Sequence, residues 1–244
     1  MQTIVIFGGT STIAQATARI WANRKDSFIL VDRDEAKLKI VAEDLQTRGA
    51  TKVTTLTANL TATDQHHHLW QQIKSAGKPD TVLIAYGSLG NQSADEKDVA
   101  KLQVELAINF TSVASLLTII AADFEQNQAG TIAVISSVAG DRGRKSNYIY
   151  GSAKGALTIF LGGLRNRLAP QGVSVITIKP GFVDTPMTAH LKKGLLWAQP
   201  QTIAKGIVKA IDHKTPIVYL PWFWRYIMLI IRAIPERIFQ NTSI

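Results

Sequence analysis

Short apolar runs alternate with longer helical patterns along nearly the whole chain. Residues 3–7, 28–31, 52–56, 81–85, 131–135, 174–178 and the brief run 217–219 are predicted as strands. Between them, 13–23, 34–48, 64–76, 96–126, 147–168 and 200–212 are predicted as helices. Strict alternation implies right-handed βαβ units and a parallel sheet covered on both faces. The expected fold class is α/β, a Rossmann-type doubly wound parallel sheet in a single domain. The rhythm changes after residue 220, where Pro221, Trp222, Phe223, Trp224, Tyr226 and the run 227–231 are far richer in large apolar side chains. Residues 1–220 are therefore expected to form the main body, and 221–244 an appended apolar and basic helical extension of the same domain.

A length of 244 residues suits one large α/β domain and leaves little room for a second. The absence of cysteine excludes a disulfide framework, thiolate zinc sites and cysteine nucleophiles, and fits a cytoplasmic protein. Residues 1–122 hold 12 basic and 12 acidic side chains, whereas 123–244 hold 15 basic and 6 acidic. That excess suggests an anionic substrate, a membrane surface or a polymer on one side, or simply a basic solvated surface. No secretory signal is read at the start, and no window offers the ~20 uninterrupted apolar residues of a spanning helix. The nearest candidate, 217–234, is broken by Pro221, Arg225 and Arg232, so peripheral contact with the inner face of the cell membrane is the stronger expectation. No groove-reading helix or basic aromatic platform points to nucleic acid. His66, His67 and His68 are consecutive on a helix and cannot converge on one metal, so no metal site is expected and all three are placed on the surface.

Two segments carry candidate chemistry. The first predicted strand ends in Gly8-Gly9-Thr10-Ser11-Thr12-Ile13-Ala14 and runs into a helix. A turn of small residues there lets backbone N–H groups approach a pyrophosphate, with the positive helix end aimed at it. Asp32 closes the second strand, 24 residues after Gly8, where a carboxylate can accept both ribose hydroxyls of an NAD adenosine. The alternative is that Asp32 caps helix 34–48. Asp32 would repel a 2′-phosphate and Arg33 could bind one, so the two pull in opposite directions; NAD(H) is favoured, with NADP(H) as the alternative.

The second segment holds Tyr150 and Lys154, an i, i+4 pair on one helical face. A tyrosine titrates near ~10 and is a poor acid or base at neutral pH unless an adjacent ammonium stabilises its phenolate. Ser137 stands thirteen residues before Tyr150 at the end of the fifth strand, placed to hydrogen-bond a substrate carbonyl. A lone Tyr-x-x-x-Lys says little; this set downstream of a dinucleotide turn says much more.

Over essentially the whole chain these residues resemble the short-chain dehydrogenase/reductase family. The resemblance implies that Asn59 and Leu60 contact the adenine, and that Asn109 holds a water in a proton relay. Ala85-Tyr86-Gly87 would line the cofactor through its backbone, Tyr86 being a departure from the family's Asn-Ala-Gly. After Pro180-Gly181, the Val183 backbone and Thr185 hydroxyl would face the nicotinamide carboxamide. The implied chemistry is hydride transfer between the nicotinamide C4 and a carbonyl or carbinol carbon. Tyr150 would pass the proton, Ser137 polarise the oxygen, and Lys154 bind the nicotinamide ribose and lower the Tyr150 pKa. Homodimers or homotetramers are implied as well.

Residues 136–150, 179–192 and 221–239 further resemble the branch of that family acting on decaprenylphosphoryl-2-keto-pentose. That likeness implies a keto-sugar joined through phosphate to a polyprenyl tail. Arg142, Arg144 and Lys145 would then lie near the substrate mouth, either binding phosphate or forming a solvated loop. The rival reading is a soluble reductase of small ketones or acyl thioesters whose C-terminal helix packs on another subunit. A nucleotide-binding regulatory protein without turnover is disfavoured by the complete Asn109, Ser137, Tyr150, Lys154 set.

Overall fold

A computed structural model of the protein describes residues 1–242; Ser243 and Ile244, the end of the expected extension, lie outside the described residues. Seven strands form one fully parallel sheet: β1 (Thr3–Phe7), β2 (Ser27–Asp32), β3 (Lys52–Thr57), β4 (Thr81–Ile84), β5 (Thr131–Ile135), β6 (Ser174–Pro180) and β7 (Ile217–Leu220). Their order is β3-β2-β1-β4-β5-β6-β7, so the direction of winding reverses between β1 and β4. Ligands of open α/β sheets bind outside the strand ends at such a switch point. The first pairing is in register from Thr3 opposite Ser27 to Phe7 opposite Val31.

Central strands read as continuous apolar runs because both their faces are covered. In β1, Ile4 and Ile6 pack under α1 (Thr12–Ala22), α2 (Glu35–Thr47) and α8 (Pro200–Asp212). Val5 and Phe7 face the opposite layer of α3 (His66–Ala76), α6 (Ser112–Asn127) and α7 (Tyr148–Leu168). The seven predicted strands are all present, several a residue or two longer than expected.

The predicted helix 96–126 is more complicated. A short α4 (Gln92–Asp95) precedes it, and α5 (Val99–Leu106) joins α6 through a π turn over Ala107–Thr111. Side chains take up carbonyls at this turn: Asn109 Nδ2 donates to Glu105 O at 3.1 Å and Ser112 Oγ to Ile108 O at 3.1 Å. The helical stretch 99–127 is by length and composition able to cross a membrane, with a mean hydropathy of 1.8 over an 18-residue window. Its Val113, Leu116, Leu117, Ile120 and Phe124 are buried against the sheet, and that packing accounts for its apolarity.

The extension forms α9 (Trp224–Ala233) and α10 (Glu236–Phe239), separated at Ile234-Pro235. Trp224, Met228, Ile231 and Phe239 join Val138 in a small third core. The outward face of α9 carries Tyr226, Leu229 and Ile230, each more than half exposed. Two expectations need correction here. His66 is not on the surface: its ring is buried between Ser115 Oγ (2.9 Å) and the Leu60 carbonyl (3.0 Å), because a helix starting at 66 turns that position toward α6. Arg142 belongs neither to a solvated loop nor to an open phosphate site, since its guanidinium is used up on the extension.

Candidate active site

The turn after β1 is shaped by Gly8, whose φ of 82° is unfavourable for any other residue. A Cβ there would also lie 2.6 Å from the Tyr86 amide nitrogen, so Gly8 lets the two turns touch. Ser11 caps α1 by accepting the Ala14 amide at 3.2 Å. Thr12 and Ile13 then open the helix, where backbone N–H groups have no partner within the helix itself. Asp32 Oδ2 accepts both the amide and hydroxyl of Thr10 (3.1 and 2.7 Å), and Oδ1 accepts the Arg33 amide at 2.7 Å. The capping role is taken instead by Asp34, which accepts the Lys37 amide at 3.0 Å. Asp32 is thus held against the turn, with the Arg33 side chain exposed beside it.

Around the turn lie the other predicted contacts. Asn59 Oδ1 accepts the Thr61 amide and hydroxyl, and Leu60 is buried. Tyr86 tucks its hydroxyl against Ser112 Oγ at 2.9 Å, and burial raises that phenol far above its ordinary value. Its side chain is thereby removed from the groove, leaving the Ala85-Tyr86-Gly87 backbone beside Gly8. Gly181 is covered by the Trp224 indole, which occupies the space a Cβ there would need. Val183 pairs with Ala198, and its carbonyl accepts Thr188 Oγ1 at 2.6 Å. Thr185 faces the same Thr188 hydroxyl at 3.4 Å.

At the C-terminal end of β5 the chain makes a 3₁₀ turn, Val138–Asp141, that docks closely on α7. A Cβ on Gly140 would lie 2.6 Å from the Lys154 carbonyl carbon, and one on Gly151 would lie 2.9 Å from Ala139 O. These glycines allow the approach that brings Ser137 to Tyr150. Ser136 Oγ bonds the Lys154 carbonyl (3.1 Å) and Thr158 Oγ1 (2.9 Å), fixing the helix from below. The expected lowering of the Tyr150 pKa by Lys154 is not seen: burial pushes the phenol up to about 12, a hydrogen bond with Ser137 opposes that shift and the charge of Glu105 adds to it. Lys154 donates to Ile135 O at 3.1 Å, and burial pulls its ammonium down to about 8 against the opposing pull of Glu105. The Lys154 nitrogen lies 5.7 Å from the centroid of the Tyr150 ring. Asn109 is fully buried and its Oδ1 accepts the Ser88 amide at 3.2 Å. The four side chains converge on one end of the sheet, beside the Gly8 turn.

The profile described as short chain dehydrogenase matches residues 2–195. The chain belongs to the short chain dehydrogenase family. It is accordingly an NAD(P)-dependent oxidoreductase. An uncharacterized oxidoreductase of Mycobacterium tuberculosis is 32% identical over 239 residues, covering 98% of this chain and 96% of that protein. One from Streptomyces coelicolor is 30% identical over 241 residues, covering 98% and 95%. Among solved structures, a short-chain dehydrogenase from Sphingobium yanoikuyae in complex with NADPH superposes with a TM-score of 0.83 at 20% identity, covering 97% of each chain. An actinorhodin polyketide ketoreductase with NADPH gives 0.81 at 18% identity, covering 91% of this chain and 97% of that one. Those two likenesses concern the fold.

Behind these side chains lie residues that the sequence did not single out. Glu105 and Ser88 bond Asn109 from behind. Asp141, four residues after Ser137, forms a buried 2.5 Å ion pair with Lys179 and accepts the Tyr219 hydroxyl at 2.7 Å. Lone acidic residues in helices or loops carry no motif; only their contacts in the fold reveal them.

Proposed function

We propose that the protein reduces a carbonyl carried on an apolar, anionic substrate, with a keto-sugar on a polyprenyl phosphate as the specific candidate. The observation that carries the reductase reading is the convergence of Asn109, Ser137, Tyr150 and Lys154 beside the Gly8 turn. A bound nicotinamide cofactor would supply the hydride. The small-residue turn and the start of α1 suit its pyrophosphate, and Asp32 suits its adenosine ribose. In this reading Ser137 donates a hydrogen bond to the substrate oxygen, and Tyr150 hands that oxygen its phenolic proton. A phenol that stays protonated at neutral pH is the donating form, which suits reduction. Lys154 replenishes Tyr150 and stabilises its phenolate, while Asn109 ties the pair to water. Asn59, Leu60, the 85–87 turn, Pro180, Gly181, Val183 and Thr185 complete the cofactor groove. Asp32, held by Thr10 and close to where a 2′-phosphate would sit, favours NAD(H) over NADP(H).

The apolar part of the substrate reading rests on α9, whose inner face packs beside the Ser137 turn while its outer face presents Tyr226, Leu229 and Ile230 next to Arg225 and Arg232. Such a face suits peripheral contact with the inner surface of the cell membrane. The anionic part rests on Arg144 rather than Arg142: its buried Nε has no hydrogen-bond partner among the described residues. Homo-oligomers are expected on family grounds. The test is NADH and NADPH oxidation with decaprenylphosphoryl-2-keto-pentose in detergent, set against small ketones and acyl thioesters in buffer. Turnover confined to the small soluble carbonyls would replace the lipid-linked reading with the soluble one. No oxidation with any carbonyl would remove the reductase reading.

A further inference from the structure

The Asn109 amide sits in a fixed orientation between two kinds of neighbour. On one side, a Cβ at Gly87 would lie 2.8 Å from its Oδ1 and 3.5 Å from Lys154 Nζ, so amide oxygen and ammonium border the same residue. On the other, Nδ2 donates to Glu105 Oε2 at 3.1 Å. The second carboxylate oxygen accepts the Ser88 hydroxyl at 2.8 Å, and Ser88 returns its amide to Asn109 Oδ1. Glu105 is buried, and among the described residues no lysine, arginine or histidine forms an ion pair with it. A buried carboxylate without a cation is costly, and a glutamine of the same shape would keep most of these contacts. The charge itself therefore calls for an explanation.

We propose that Glu105 is a positioning residue of the reductase reaction, fixing the Asn109 amide and setting a carboxylate behind the Lys154 amine. Glu105 touches neither substrate nor cofactor; it acts through Asn109 and Lys154. The inference rests on the assignment of Tyr150 and Lys154 to the chemistry. Its charge opposes the loss of the Lys154 proton, which burial alone would promote. It lies one helical turn before Asn109, so the two share a face of the helix. The other ionisable groups around it are Asp95 on α4, which accepts the Asn91 amide at 2.7 Å, Lys101 on its own helix, 3.9 Å from Asp98, and Tyr150 and Lys154 on α7. A pocket of about 240 Å³ bounded by Gly90, Asp95, Lys101, Val104 and Glu105 opens to solvent, so a small carboxylate can reach this position from outside.

The experiment compares the full chain with Glu105→Gln. Lysine labelled at Cε gives the Lys154 titration by NMR, assigned with Lys154→Arg, and needs no turnover. The Lys154 midpoint should fall by about one unit in Glu105→Gln, because an anion that favoured the ammonium is gone. Reduction of 9,10-phenanthrenequinone with saturating NADH should then slow roughly fivefold at pH 8. Formate should restore part of the rate to Glu105→Ala, which a merely structural role would not allow. An unmoved Lys154 midpoint, or a moved midpoint with unchanged kcat, overturns the proposal. Tyr150→Phe is assayed beside them: wild-type turnover in that variant would instead overturn the Tyr150 assignment, leaving the lysine titration to decide on Glu105.

Discussion

Arg142 reaches from the turn after Ser137 to the end of α9, where its Nη1 donates to the carbonyls of both Ile231 and Ile234 at 2.6 Å. The guanidinium also lies 3.6 Å from the centroid of the Phe239 ring. One side chain thus caps the helix end, covers Phe239 and fastens the C-terminal extension to the loop that carries Ser137.

Arg142→Ala should destabilise the protein by roughly 2 kcal/mol, since two charge-assisted bonds to part-buried carbonyls are lost and those carbonyls are left without that donor. Glu236→Gln should change little, because Glu236 is 77% exposed although it pairs with Arg142 at 2.8 Å. Urea unfolding of both variants measures the difference. Equal effects would mean that the ion pair, not the capping of α9, holds the extension.

Tyr150→Phe should lower reductive turnover by ~10²–10⁴ while leaving NAD(P)H affinity within a few-fold, because a positioned acid is lost but the pyrophosphate turn and Asp32 are untouched. Turnover with fluorescence-monitored cofactor titration checks both halves. A near wild-type kcat would take Tyr150 out of the chemistry.

The sheet and the Gly8, Ser137, Tyr150 and Lys154 placements were legible because each rests on local pattern: apolar runs, a small-residue turn, an i, i+4 pair. Asp32 was legible in position, but its freedom from capping depended on Asp34, two residues on and equally able to cap. What escaped the sequence depends on distant packing. From the sequence Arg142 reads equally as an anion ligand or as part of a solvated loop, because nothing local shows that α9 returns to it from residues 231–236. His66 looked like one of three equivalent histidines until the phase of α3 turned it alone toward Ser115. Glu105 carries no motif; its meaning comes from the π turn that sets Asn109 one turn after it.

Reduction should also report the Lys154 charge. Burial has lowered this amine to about 8, so it is an ammonium below that pH and neutral above it. Tyr150, raised to about 12, stays protonated over the same range. The reductive kcat should therefore be level at neutral pH and fall as pH passes through about 8. A pH profile at saturating substrate tests this, and a profile flat to pH 10 would show that bound substrate and cofactor hold the ammonium more firmly than Glu105 does alone.

Asp32→Ala should weaken NADH binding and relax discrimination against NADPH. The variant loses a ribose acceptor and a charge that repels phosphate, while Arg33 remains to meet it. It should also loosen the Gly8 turn, because Thr10 loses the acceptor of two hydrogen bonds. Dissociation constants for both cofactors with wild type and variant decide the matter. A wild type that already prefers NADPH strongly would assign the choice to Arg33.

The outer face of α9 gives the last prediction. Removing 222–244 altogether would strip Trp224, Met228 and Ile231 from the core around Val138, confusing folding with binding. Leu229 and Ile230 are instead 66% and 67% exposed and face away from that core. Changing both to glutamate should cost stability within about 0.5 kcal/mol, as exposed substitutions usually do. The same change places two carboxylates among the apolar side chains next to Arg225 and Arg232, which would oppose insertion between lipid headgroups and repel an anionic surface. Wild type should co-sediment with phosphatidylglycerol vesicles more than with phosphatidylcholine vesicles, and the double variant with neither. Gel filtration separates the competing use of this face: if wild type stays in solution while the glutamates split an oligomer, α9 packs on a second copy of the chain and the membrane reading falls.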